Sequence, residues 1–241
     1  MSDKLDFLAF GAHPDDVELG CGGTIAKLVS QGKKIGIIDL TRGELGTRGS
    51  AVIRTKETKE ASKILGISVR ENMDFKDGFF INDEEHQLKI IRVIRKYQPE
   101  IIFCNAPDDR HIDHPKGSKL IVEASFLSGL SKITTTDSFG NFQKKWRPNN
   151  IYHYIQWKNL IPNFIFDVSG FHQIKMDAVK CYSSQFYDPD STEPETPISK
   201  KNFLDFIESR ALDCGRLIGV SHAEGFISNR VLGINSFENL V

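Results

Sequence analysis

Two uninterrupted apolar runs near the amino terminus constrain the fold more than anything else in the chain. They lie within LDFLAFG (residues 5–11) and KKIGIIDL (33–40), with one helix-length amphipathic stretch between them. A run without polar alternation has both faces buried, as in a parallel sheet covered by helices on each side. The intervening stretch, 18–31, places Ile25, Leu28 and Val29 on one face and ends near Gly32, so it reads as a helix. Strand, helix and strand in that order form a right-handed βαβ unit.

The alternation continues. A helix is expected over 51–66, ending at Gly66, and a short strand over 72–75. The helix over 84–97 buries Leu88, Ile91 and Ile94, exposes Lys89, Arg92 and Lys96, and is stopped by Pro99. IIFC (101–104) is a strand, 114–128 a helix, and 133–150 a loop or hairpin connection. Strands are expected over 151–156, 164–169 and 223–228, with helices over 171–182 and 200–219. The proline-rich, acidic stretch 187–199 reads as a surface loop. The expectation is one three-layer α/β domain over 1–241 with a mostly parallel, Rossmann-like sheet, long enough to bury a substantial core.

With 31 basic and 32 acidic residues, net charge gives no general attraction to nucleic acid or to an anionic membrane. No apolar stretch approaches the roughly 20 residues of a bilayer span, and the apolar run in the first strand is far too short for a secretory signal. Cys21, Cys104, Cys181 and Cys214 form no CxxC pair, and Cys104 reads as a small buried hydrophobe in its strand. A reducing cytosol is the expected compartment.

Chemistry concentrates in two loops that follow strands. In AHPDD, His13, Asp15 and Asp16 come directly after the first strand; in DDRHIDHPKG (108–117), His111, Asp113 and His114 follow IIFC. Imidazole nitrogen and carboxylate oxygen are ordinary zinc ligands, and a catalytic zinc keeps three protein ligands with one position open for water. Neither loop alone offers three convincing ligands, so the two are expected to face each other across one cleft. Pro14 and Pro115 keep His13 and His114 out of helical geometry, and Pro115 suits the first helical position. Side chains of neighbouring residues in a turn diverge, so one of Asp15 and Asp16 can bind the ion while the other stays free as a base.

AHPDD and HxDH resemble the signature of the zinc-dependent N-acetylglucosaminyl deacetylases of the LmbE and PIG-L type. TRGELGTRG (41–49) and CYSSQF (181–186) are similar to the branch that deacetylates N-acetylglucosaminyl malate in bacillithiol biosynthesis. The resemblance implies that His13, Asp16 and His114 hold zinc and that Asp15 is the general base. It further implies that His111 stabilises the developing oxyanion, with Asp113 orienting its ring. The donor set also accepts iron, manganese or cobalt. Either Asp15 or His111 can return a proton to the leaving amine. A malate aglycone carries two carboxylates, which guanidinium binds well, so Arg54 and then Arg110 are the candidates for it. Arg42, Glu44 and Arg48 stand in the right loop without an assigned role. His86, His153, His172 and His222 have no ligand-like spacing and read as structural or surface residues. Trp146 and Trp157 can pack on a sugar or in the core. The expected partner is a small acetylated amino sugar, and the resembling enzymes are commonly homo-oligomers.

Two other readings use the same residues. A nucleotide-binding oxidoreductase would use GCGG (20–23) and Asp39 as a ribose acid, but the glycines lack GxGxxG spacing and two carboxylates stand where pyrophosphate would sit. A non-catalytic sugar-binding or partner-binding module is compatible with the fold, although a mere binding site has no need of a spare carboxylate beside the metal. Action on another glucosaminide or on a bacillithiol conjugate stays within the family reading.

Overall fold

In the computed structural model, which describes residues 4–234, 236 and 238, the chain forms a seven-stranded sheet in the order β3-β2-β1-β4-β5-β7-β6. The strands are β1 (Phe7–Gly11), β2 (Ile35–Thr41), β3 (Val69–Phe75), β4 (Ile101–Asn105), β5 (Asn150–Tyr154), β6 (Phe164–Asp167) and β7 (Ala223–Ser228). The helices are α1 (Asp16–Ser30), α2 (Ala51–Leu65), α3 (Glu84–Tyr97), α4 (Asp113–Ser128), α5 (His172–Lys180) and α6 (Phe203–Ile218). Strands β1 to β5 pair in parallel, whereas β7 runs antiparallel to both β5 and β6. Among the described residues no helix is long and apolar enough to cross a membrane.

The apolar runs are buried on both faces, as the absence of alternation requires. Ala9, Ile35, Ile37 and Phe103 belong to one core, packed with α1 and α5, while Leu8, Phe10, Ile38, Leu40 and Cys104 belong to the other, packed with α3 and α4. Successive side chains of a strand point to opposite faces, so one run feeds two cores. Burial pushes the Cys104 thiol well up, in keeping with its reading as a hydrophobe.

Three elements depart from the sequence expectation: α4 starts at Asp113, so His114 is helical although Pro115 follows it, and β3 and α1 differ as follows. Strand β3 begins at Val69, not at residue 72, because its polar start is accommodated at the sheet edge: Arg70 donates from Nε and Nη2 to both oxygens of Asp39, each at 2.9 Å, and also reaches Glu18. That pairing occupies the carboxylate that a ribose would need. Helix α1 is kinked at Cys21 (φ −145°), inside GCGG. Glu224 of β7 occupies the break, accepting from Gly23 N at 3.1 Å and Thr24 N at 2.7 Å, and it pairs with buried Lys175 at 2.7 Å. At Gly20 a Cβ would fall 2.1 Å from the Tyr154 ring. These glycines therefore serve close packing of helix on sheet rather than a phosphate.

The strand order sets the position of the site. From β1 the chain moves outward through β2 and β3, then returns to the other side of β1 as β4. The loops leaving β1 and β4 thus diverge at a topological switch point, where open α/β sheets bind ligands beyond the carboxyl ends of their strands.

Candidate metal and substrate site

The first loop is anchored at its root by Ala12 N, which donates to Asn105 Oδ1 of β4 at 2.9 Å. His13 then turns back, its N–H donating to Asp16 Oδ2 at 2.9 Å. Asp15 is left-handed (φ 105°), an unfavourable conformation for a residue with a Cβ, and it is held there by Arg54. Arg54, reaching in from α2, donates from Nη2 to Asp15 Oδ2 at 2.9 Å and to Pro14 O, and from Nη1 to Gly43 O at 3.4 Å. A Cβ at residue 43 would fall 1.7 Å from Arg54 Nη1, so glycine there is required for the guanidinium to fit.

Asp16 lies between the two histidines expected to join it. Its Oδ2 is 3.4 Å from His13 Nδ1 and its Oδ1 3.2 Å from His114 Nε2. Bonds of about 2.0–2.1 Å in a tetrahedral zinc site place ligand atoms about 3.3 Å apart, so each histidine stands at that spacing from one Asp16 oxygen, a different oxygen for each. His13, His111 and His114 also present one nitrogen each within 4.8 Å of one another. The remaining contacts fix the donors in place, as metal-binding side chains require. Asn105 Nδ2 and Gln156 Nε2 donate to Asp16 at 3.1 and 2.7 Å, Asp109 Oδ2 lies 2.8 Å from His114 Nδ1, and Asp77 Oδ1 lies 3.0 Å from His13 Nε2.

The electrostatics favour a cation here. Burial alone would lower both histidine pKa values. Instead Asp113, Asp16 and Asp77 hold His13 well above its ordinary value, and Asp16 with Asp109 raises His114 to about 9. A divalent ion held by His13, Asp16 and His114 would answer the same carboxylates, so these residues fit zinc. Burial lifts Asp15 to about 7 against the pull of Arg54. His111 is the exposed member of this cluster, its pKa lowered by partial burial and by the neighbouring His13 and His114.

The other expected site residues fall as follows. Asp113 touches His111 through its backbone, whose N–H donates to His111 Nδ1 at 3.3 Å. Its carboxylate, placed in the first turn of α4, accepts from Gly78 N and from Lys116, both at 2.7 Å, and faces His13 Nε2 at 3.6 Å. Arg110 lies with its guanidinium 4.8 Å from the centre of the Trp157 ring. Both line a cleft of about 330 Å³ together with His13, Asp15, Asp16, Arg54, His111 and His114. Pro197, Phe203 and Ile207 close the far side. Trp146 is instead packed away, its indole N–H donating to Pro99 O at 2.8 Å.

The unassigned loop residues are structural. Arg42 pairs with Asp74, Arg48 donates to Ser191 Oγ at 2.7 Å, and Glu44 accepts from Asp77 N at 2.8 Å, which positions Asp77 against His13. Sequence reasoning missed Asp77, Asn105 and Gln156, which carry no motif spacing. It passed over Asp109 although that residue stands inside the quoted DDRHIDHPKG string.

Fold and site together define an α/β protein of Rossmann-like topology with a histidine and carboxylate centre at the switch point of its sheet. The family model for PIG-L, GlcNAc-PI de-N-acetylase, matches residues 8–125, a span that contains both motif loops. A conserved protein of Thermus thermophilus, of known crystal structure, is 34% identical, with a TM-score of 0.85, over 96% of this chain and 98% of that one. The diacetylchitobiose deacetylase of Thermococcus kodakarensis is 29% identical over 100% of this chain and 90% of its own length. A probable N-acetyl-α-D-glucosaminyl L-malate deacetylase 2 of Bacillus anthracis is 28% identical over 52% of this chain and 61% of its own length. The chain belongs to the PIG-L family of deacetylases.

Proposed function

We propose that the protein is a zinc-dependent hydrolase that removes the acetyl group from an N-acetylglucosaminide, with N-acetylglucosaminyl malate as substrate. Diacetylchitobiose, the substrate named for the Thermococcus relative, is the competing aglycone class. The observation that carries the reading is Asp15: a carboxylate held by Arg54 beside Asp16, at the floor of the same cleft as His13 and His114.

His13, Asp16 and His114 would hold zinc, which when bound would supply the Lewis acidity that lowers the pKa of water toward about 7. Asp15 accepts a proton from the attacking water, its carboxylate kept in place by Arg54. The carbonyl carbon becomes tetrahedral, and His111, on the open side of the cleft, donates to the oxygen on which negative charge develops. Asp15 returns its proton to the nitrogen as the amide bond breaks, releasing acetate and the free amine. Asp113, facing His13, holds that ring and, through its N–H, the ring of His111. Trp157 offers an apolar face to the sugar, and Arg110 above it meets an anionic aglycone. Arg54 is turned inward and acts first as a positioning residue for Asp15.

The test is to incubate the protein with N-acetylglucosaminyl malate, diacetylchitobiose and N-acetylglucosamine, with and without chelator, and to measure released amine. The expected result is release that chelator abolishes and zinc restores, fastest on the malate conjugate. No chelator-sensitive release from any of the three would remove the hydrolase reading, whereas faster release from diacetylchitobiose would overturn only the malate assignment.

A further inference from the structure

Far along the chain from the central cleft, the start of α5, the middle of α6 and the residue before β7 bring together His172, Glu208 and His222. Each can present one ligand atom, and these lie within 4.8 Å of one another. The two imidazoles are stacked, 4.5 Å between centres and 11° between planes, and one carboxylate spans both. Glu208 Oε2 is 2.5 Å from His172 Nε2, and Oε1 is 2.9 Å from His222 Nε2.

Hydrogen bonding accounts only for the His222 side of this arrangement, where Nε2 pairs with Glu208 Oε1. His172 is only 5% exposed, and both of its ring nitrogens are buried without a hydrogen-bond partner, Nε2 included, although the carboxylate stands beside it. The carboxylate therefore lies close to that nitrogen but off its hydrogen-bonding direction. A buried imidazole nitrogen left so is unfavourable, and a metal bond removes the deficit. The surroundings fix the rest. Ser169 Oγ accepts from Ser221 N at 3.2 Å and His222 N at 3.4 Å, and Ser221 Oγ lies 3.2 Å from His222 Nδ1, leaving Nε2 for the shared point. Lys175, one turn along α5 from His172, is committed to Glu224 at 2.7 Å.

We propose that His172, Glu208 and His222 form a second transition-metal site, of the zinc class, which clamps α5 and α6 to the start of β7. Two imidazoles and one carboxylate are a zinc donor set with room for water. Ligand atoms about 3.3 Å apart require the carboxylate to move out by under about 1 Å from its present position. Glu208 has that freedom, since its side chain is 41% exposed. The site also bears on the cleft, because the next residue back along α6, Ile207, lines its far wall. None of this depends on the reading of the central site.

The test uses the full chain, stripped of metal, reloaded with zinc, desalted and analysed for zinc per chain. Wild type is expected to keep two equivalents and His222→Gln one. Glu208→Gln, a half-exposed change on a helix, is the second variant and is also expected to keep one, with a thermal melt showing that each variant is folded. His114→Ala reports on the central site alone, so failure of that site is seen separately. A folded His222→Gln or Glu208→Gln protein that retains as much zinc as wild type overturns the proposal.

Discussion

At the scale of the residue, Asp15 concentrates the chemistry and the strain. Its left-handed backbone is unfavourable for a residue with a Cβ, and Arg54 holds its carboxylate in place. Asp15→Asn keeps the shape and the zinc ligands but removes the base. Turnover is expected to fall by about 10²–10⁴-fold with zinc content unchanged; an active, zinc-loaded variant would place the base elsewhere. Arg54→Ala should lower hydrolysis of every acetylated glucosaminide by on the order of 10²-fold, as misplacement of a reacting group does. A loss confined to the malate conjugate would mean that the guanidinium serves the aglycone instead. That His13, Asp15, Asp16, His111 and His114 would face one cleft was legible because two loops carry them in short strings. Asp77, Asn105 and Gln156 were not, since each reaches the centre only through the fold: Asp77 from the turn after β3, Asn105 from the end of β4, Gln156 just beyond β5.

At the scale of the element, α1 shows what periodicity conveys and what it omits. Its apolar face was readable, but the kink at Cys21 was not, because the group that makes it tolerable is Glu224, about 200 residues away in sequence. The Glu224 carboxylate takes up the N–H groups that the kink frees, so the second half of α1 starts as a capped helix. It also neutralises Lys175, and both side chains are buried. Glu224→Ala would leave that ammonium buried and unpaired and two amide donors unmet. The expected loss is about 3–5 kcal/mol of unfolding free energy, read from a denaturant melt. A loss under about 1 kcal/mol would mean that water reaches Lys175 and that the pair has little weight. The same helix carries Asp16 in its first turn, so the cap secures the element that presents a carboxylate to the central cleft.

At the scale of the whole molecule, the order of apolar runs disclosed a mostly parallel, Rossmann-like sheet, but neither the reversal of strand order between β1 and β4 nor the antiparallel insertion of β7 between β5 and β6 carries a signature, since apolar runs and alternation encode neither strand order nor strand direction. The two strings TRGELGTRG and CYSSQF also meet only in three dimensions: Gln185 Nε2 donates to Arg48 O at 2.8 Å, and Ser184 N donates to Glu57 at 2.7 Å. The central cleft is thus assembled from the loops after β1, β2, β3, β4 and β5 and from α6, and an ion in its floor would bind the folded chain far better than the unfolded one. Linkage then fixes the size of the effect: zinc at 100 times its dissociation constant adds about 2.7 kcal/mol. For a chain of this length that corresponds to a rise in Tm of about 5–10 °C. The measurement is a thermal melt of the chelator-stripped protein against zinc concentration, made in the His222→Gln background so that the rise reports the central site alone. A Tm that does not move with zinc there would mean that His13, Asp16 and His114 do not hold the ion together.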